Sequence, residues 1–122
     1  MKMKGDELKQ RTKEFAHRCV KLSMALPKTP MGNHIQGQLT RCSTSVASNY
    51  RAACNAQSKA SFISKISIVI EEADESYFWL EFIMDENMIK RDLIDPLFKE
   101  ADELTAIFIA SRKTARKRKD AD

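Results

Sequence analysis

The sequence has few of the residues that build turns, staples and reactive sites. There are three cysteines, Cys19, Cys42 and Cys54, an odd number with no Cys-x-x-Cys pair. That argues against a disulfide framework and suits small buried thiols in a reducing cytoplasm. Three glycines and three prolines leave few breaks in the chain and no phosphate-cradling loop. No run approaches the roughly 18 apolar residues of a membrane span. The opening MKMKGDELKQ has no apolar signal core. Strand-like alternation, internal repeats and long low-complexity segments are missing too. A cytoplasmic all-α domain with no membrane role is expected.

What is present is 122 residues rich in Leu, Ile, Ala, Met, Glu and Lys, enough for one domain with its own core. The net charge of +4 conceals a polarised chain. Residues 1–70 hold 12 Lys/Arg against 3 Asp/Glu, whereas residues 71–111 hold 3 against 12. The last eleven residues, 112–122, hold 6 against 2.

Four helices account for nearly everything. The first starts after Gly5 with Asp6 as N-cap and ends before Pro27, burying Leu8, Thr12, Phe15, Ala16, Cys19, Leu22, Ser23 and Leu26. Thr29 and Pro30 serve as N-cap and first residue of the second. Its buried face is Ile35, Leu39, Cys42, Val46, Tyr50 and Ala53, and Gly32 and Gly37 weaken its start. The third runs from about Ser58 to Glu86 on a stripe of Phe62, Ile66, Val69, Ala73, Ser76, Tyr77, Leu80 and Ile83. The fourth takes Asp95 as N-cap and Pro96 as first residue, then repeats Leu97, Ala101, Leu104, Phe108 and Ser111 at bundle spacing. Short links favour an antiparallel up-down-up-down four-helix bundle over residues 1–111, followed by a frayed basic tail, 112–122.

The third helix is apolar on a second face. With the core stripe at zero, Trp79 falls about 100° away and Ile68, Phe78 and Phe82 about 120° to 160° away. They stand among Glu71, Glu72 and Glu75. Two Phe, an Ile and a Trp on a solvent face predict a homo-oligomer interface with a carboxylate rim. Arg18, Lys21, Arg41 and Arg51 are candidate cations facing that rim across subunits.

Enzyme constellations fail on geometry. A di-metal bundle site needs two inward Glu-x-x-His motifs. The chain has one, Glu14 to His17, and it points outward. His34, the other histidine, lies near a helix start, so no Ser-His-Asp arrangement can be built with Ser43, Ser45 or Ser48. No enzyme, cofactor, metal or small-molecule substrate is indicated. In the tail, Arg112, Lys113, Arg116, Lys117, Arg118 and Lys119 are candidate phosphate contacts, without an aromatic residue for base stacking.

The segment Gln38 to Ala53, QLTRCSTSVASNYRAA, and Ser58 to Phe82, with Glu72-Ala73-Asp74-Glu75-Ser76 and Trp79-Leu80, carry a family pattern. So do Leu22 to Pro27 and Ile35-x-x-Gln38-Leu39. The chain resembles, over about residues 6 to 112, the bacterial four-helix-bundle proteins named after the 23S ribosomal RNA intervening-sequence protein. The resemblance implies a ring-like homopentamer without enzymatic activity. Some members are encoded inside insertions in large-subunit ribosomal RNA genes, and the majority stand alone with unknown function. A related branch serves diversity-generating retroelements and binds nucleic acid and a reverse transcriptase. Many members carry Glu two or three residues after Asn49, where this chain has Arg51 and Ala52. The expected function is a homo-oligomer contacting RNA or DNA through basic surfaces. The alternative is an oligomeric adaptor or scaffold for another protein, without nucleic-acid binding.

Overall fold

Four helices, and no strand among the described residues, make up the computed structural model, which describes residues 4–118. They are α1 (Lys4–Ser23), α2 (Pro30–Cys54), α3 (Lys59–Asp85) and α4 (Arg91–Lys117). Each packs on its neighbour in sequence, and α1 closes on α4. His34 in the second turn of α2 meets Trp79 near the end of α3. Tyr77 stacks on Phe98 of α4, Ser67 meets Arg112, and Lys59 reaches Arg118. The turns joining α1 to α2 and α3 to α4 therefore share one end of the molecule.

The stripes read from the sequence form the core. Phe15, Ile35, Leu39, Ile66, Leu80, Ile83, Leu104 and Phe108 are all fully buried. Tyr50 of α2 reaches across to Phe108 of α4, with ring centroids 5.1 Å apart. Removing any one large buried side chain would cost roughly 2–5 kcal/mol. Where α1, α2 and α3 meet, the stripe is small and polar. Ser23, Cys42, Ser43, Ala73 and Ser76 are buried there. Ser76 Oγ donates to Cys42 Sγ at 3.2 Å, and Ser23 and Thr40 share a 3.3 Å hydrogen bond. Among the described residues no buried side-chain polar atom lacks a partner, so these groups add no desolvation debt.

The expected Thr29 cap is present, and Ser58 supplies another. Thr29 Oγ1 accepts from Gly32 N at 3.0 Å, with Pro30 as first residue of α2. Ser58 Oγ accepts from Ser61 N at 3.0 Å to open α3. The α3 exit is a Schellman turn. Asn87 takes a positive φ of 54°, and Met88 N donates to Ile83 O. Asn is among the few residues that accept this conformation.

Four boundaries differ from the sequence reading. α1 already includes Asp6, which sits in the first turn with Glu7 and favours the helix dipole there instead of capping. It also ends at Ser23, and the chain reaches Pro27 through a bend that keeps Leu26 buried. α4 begins at Arg91, so Pro96 lies inside it and Asp95 pairs with Lys99 instead of capping. Starting a turn earlier buries Ile94 completely, which offsets the one hydrogen bond that Pro96 cannot make. Finally, α4 runs straight through Ser111 to Lys117, so residues 112–117 continue the helix. Ala115 is buried and extends the 4-3-4 spacing of Leu104, Phe108 and Ser111.

The start of α2 is ordered because of Gly32, not in spite of it. A Cβ there would lie 1.9 Å from the Pro27 carbonyl oxygen, whereas one at Gly37 would meet nothing within 4 Å. Gly32→Ala is expected to destabilise the protein by about 1–3 kcal/mol, as overpacking against backbone does. Gly37→Ala should instead stabilise it by about 0.5–1 kcal/mol through helix propensity. Thermal melts of the two variants in parallel check the opposite signs.

Candidate functional site

The outward face of α3 is an aromatic cluster held by a polar clamp. Phe78 and Trp79 centroids are 4.9 Å apart, Trp79 and Phe82 are 5.9 Å apart, and Phe78 and Phe82 are 6.1 Å apart. His34 of α2 packs T-shaped on Trp79 at 5.6 Å. Trp79 and Phe82 are thus partly buried against the bundle, while Phe78 remains 49% exposed. Ile68 is partly buried and Glu71 is exposed.

Arg41 of α2 organises the rim. Its Nη1 donates to Glu72 Oε2 at 3.2 Å, and its Nη2 donates to Glu75 Oε2 and to Gln38 Oε1. Glu75 Oε2 also accepts from Trp79 Nε1 at 3.2 Å, which fixes the indole. The Arg41 guanidinium holds the Glu75 carboxyl below the usual carboxylate range, with the indole N–H adding to the effect. Arg41 was a candidate for pairing across subunits. Within its own chain it already pairs with Glu72 and Glu75, because α2 and α3 run side by side here. A second clamp joins α1 to α4: Arg11 Nε and Nη2 grip Glu100 at 3.0 and 2.8 Å, and Nη2 reaches Glu103 at 2.9 Å.

Further exposed apolar side chains escaped the sequence reading. Met24 (61%), Met31 (49%) and Leu93 (59%) lie at the end of the bundle that carries the α1–α2 and α3–α4 turns, the end nearer Phe78. Met31 precedes His34 by three residues, hence on the same side of α2. Isolated methionines and leucines near turns give no periodic signal, so only the fold brings them together.

The basic candidates sit at the opposite end. Arg112, Lys113, Arg116 and Lys117 are on α4, lining a shallow recess with the exposed Ile109. Arg112 Nη1 donates to Ser67 Oγ of α3 at 3.2 Å, and Lys59 Nζ donates to the Arg118 carbonyl at 2.8 Å. Lys119 lies outside the described residues.

Groups with reactive potential are dispersed. His17 and His34 are exposed on different helices, and Glu14 accepts a hydrogen bond from Gln10. Among the described residues no three His, Cys, Asp or Glu side chains converge as metal ligands. No helix among them is long and apolar enough to cross a membrane. Burial pushes the Cys19 thiol well up and the Cys42 thiol up to about 11.

These features define an all-α protein of four packed helices. The chain belongs to the family of 23S rRNA-intervening sequence proteins, which it matches over residues 6–110. A crystal structure from Bacteroides thetaiotaomicron, of a protein with unknown function from the S23 ribosomal protein family, is similar. It shares 32% sequence identity and a TM-score of 0.82, over 91% of this chain and 99% of that one. No curated protein matches the chain.

Two outcomes follow. A carboxylate held below its unfolded value stabilises the fold above that value and loses the contribution as pH falls through the folded one. Emission of Trp79, the single tryptophan, should therefore stay constant through the ordinary carboxylate range and change only at lower pH. In Arg41→Ala that transition should move up in pH; an unmoved transition would show that the clamp does not set it. For the thiols, titration of the native protein with a disulfide reagent near pH 8 should find at most one fast group, the partly buried Cys54, against three in denaturant.

Proposed function

We propose that the protein is a non-enzymatic, self-associating, antiparallel up-down-up-down bundle whose basic end contacts RNA or DNA in the cytoplasm. The contacts of Tyr77 with Phe98, Ser67 with Arg112 and Lys59 with Arg118 support the antiparallel sense, since residue numbers rise on one helix as they fall on the other. The ring-like homopentamer implied by the family resemblance is the assembly we adopt. The observation that carries self-association is the aromatic face: Phe78 half exposed, continuous with Trp79 and Phe82, and flanked by ordered carboxylates. Interfaces concentrate their binding energy in such aromatic anchors. Glu71, Glu72 and Glu75 then form its rim, with Arg41 already neutralising two of them.

Nucleic-acid contact is supported by the cations of α4. A second reading, an oligomeric adaptor for another protein, is favoured by Met24, Met31 and Leu93 at the apolar end. A single stoichiometric protein retained after nuclease treatment would favour that reading.

Light scattering on the purified protein should give about five times the 14.0 kDa of one chain. Phe78→Glu should lower the mass to that of a monomer or small fragment of the ring, with helical circular dichroism retained. Phe78 is the better choice than Phe82, which also packs on the core. A wild-type monomer would sink the interface assignment.

A further inference from the structure

We infer that the outer face of α4 from Ile109 to Lys117 is a track for the phosphate backbone of double-stranded nucleic acid. The inference rests on the nucleic-acid reading above and narrows it to one helix face and one kind of strand. Arg112, Lys113, Arg116 and Lys117 follow Ile109 at steps of three and four residues, so they share one side of the helix, and together they line a recess. The face is stiff. α4 is unbroken to Lys117, Ala115 is buried beneath it, and Lys59 ties down the carbonyl of Arg118.

The positive field of this face is not neutralised by direct pairing. None of these four cations joins an ion pair among the described residues. The sequence has no Asp or Glu between Glu103 and Asp120, and none between Glu14 and Glu71. The end of α2 and the start of α3 therefore bring no carboxylate to this end; Asp6 and Glu7 in the first turn of α1 lie there, and Asp6 pairs with Lys9 of its own helix. The Ser67 hydroxyl holds Arg112 without neutralising it.

The cations form two adjacent pairs separated by about one helical turn, roughly 6 Å along the axis. A duplex offers one phosphate charge per about 1.7 Å of its axis, so such pairs find partners at any position. Single strands are held chiefly by stacking bases on aromatic side chains. This face has none: its one apolar member is Ile109, and the aromatic residues Phe78, Trp79 and Phe82 lie toward the other end. Phosphate contacts position a duplex without reading its bases.

The test is fluorescence anisotropy of the full chain with a labelled mixed-sequence duplex, prepared as DNA and as RNA, and with each separated strand, over a salt series. One or both duplexes should bind more tightly than their strands. The slope of log affinity against log salt should be about −3 to −4 for four neutralised phosphates per protomer. A triple variant, Lys113→Ala with Arg116→Ala and Lys117→Ala, removes exposed side chains only. It should flatten the slope by about 2 to 3 and weaken binding roughly a hundredfold at low salt, with circular dichroism unchanged. Strands that bind as tightly as duplex, or a triple variant with the wild-type slope, overturn the track while nucleic-acid binding itself stands. Absence of binding to every probe at low salt removes both readings.

Discussion

The burial demand of α3 governs the rest of the molecule. Its apolar residues occupy more of its circumference than one stripe can use. Ile66, Val69, Ala73, Leu80 and Ile83 are fully buried, yet Phe62, Ile70, Tyr77, Trp79 and Phe82 also lean on the core from both sides. A helix with that profile must sit between neighbours, and α3 lies between α2 and α4. Small residues make the arrangement possible on the α2 side, where Ser76 meets Cys42 and Ala73 is fully buried. What remains uncovered is Phe78, whose position in sequence places it where neither neighbour reaches.

The charge polarity of the chain becomes intelligible once the helices are packed. Folding lays the basic first half against the acidic second half only over part of its length. At mid-height, Arg41 meets Glu72 and Glu75, and Arg11 meets Glu100 and Glu103. Each pair is partly exposed and contributes little to stability by itself. Their effect is positional: one fixes the indole of Trp79, and the other ties the first helix to the last. At the far end the acidic residues of the first turn of α1, Asp6 and Glu7, make no ion pair with α4 among the described residues, and the cations there stay unpaired. The same sequence asymmetry thus produces seams at mid-height and a field at one end.

Much of the fold was legible because helical periodicity is a direct image of burial. Every buried position of α1, and all of α2 but Gly32 and Ser43, follow from steps of three and four residues. The misses have local causes. Asp95-Pro96 carries a strong helix-start signal, but burial of Ile94 outweighs it, and burial depends on neighbours the local sequence does not name. Ala115 was readable as the next step after Ser111, though the surrounding cations masked it. The candidate surfaces were legible only as faces. That Trp79 is covered by His34, and that Arg41 serves its own chain, depend on the register of α2 against α3. Met24, Met31 and Leu93 come from three segments and share one end of the bundle only through the turns.

The two candidate surfaces lie toward opposite ends of the bundle, and this separation bears on how they can act. Membership of the 23S rRNA-intervening sequence family fixes the fold and leaves the activity to be argued from these surfaces. An aromatic face engaged in self-association would not occlude α4, so phosphate binding and assembly need not compete. In a ring of like subunits, each α4 face would recur at the same height. Several weak, salt-sensitive contacts would then act on one long polyanion, and their effective concentration would raise binding without any new contact. The physical requirement is only that the cations be held on an ordered helix instead of a loose tail. The burial of Ala115 and the Lys59 cap on Arg118 meet that requirement.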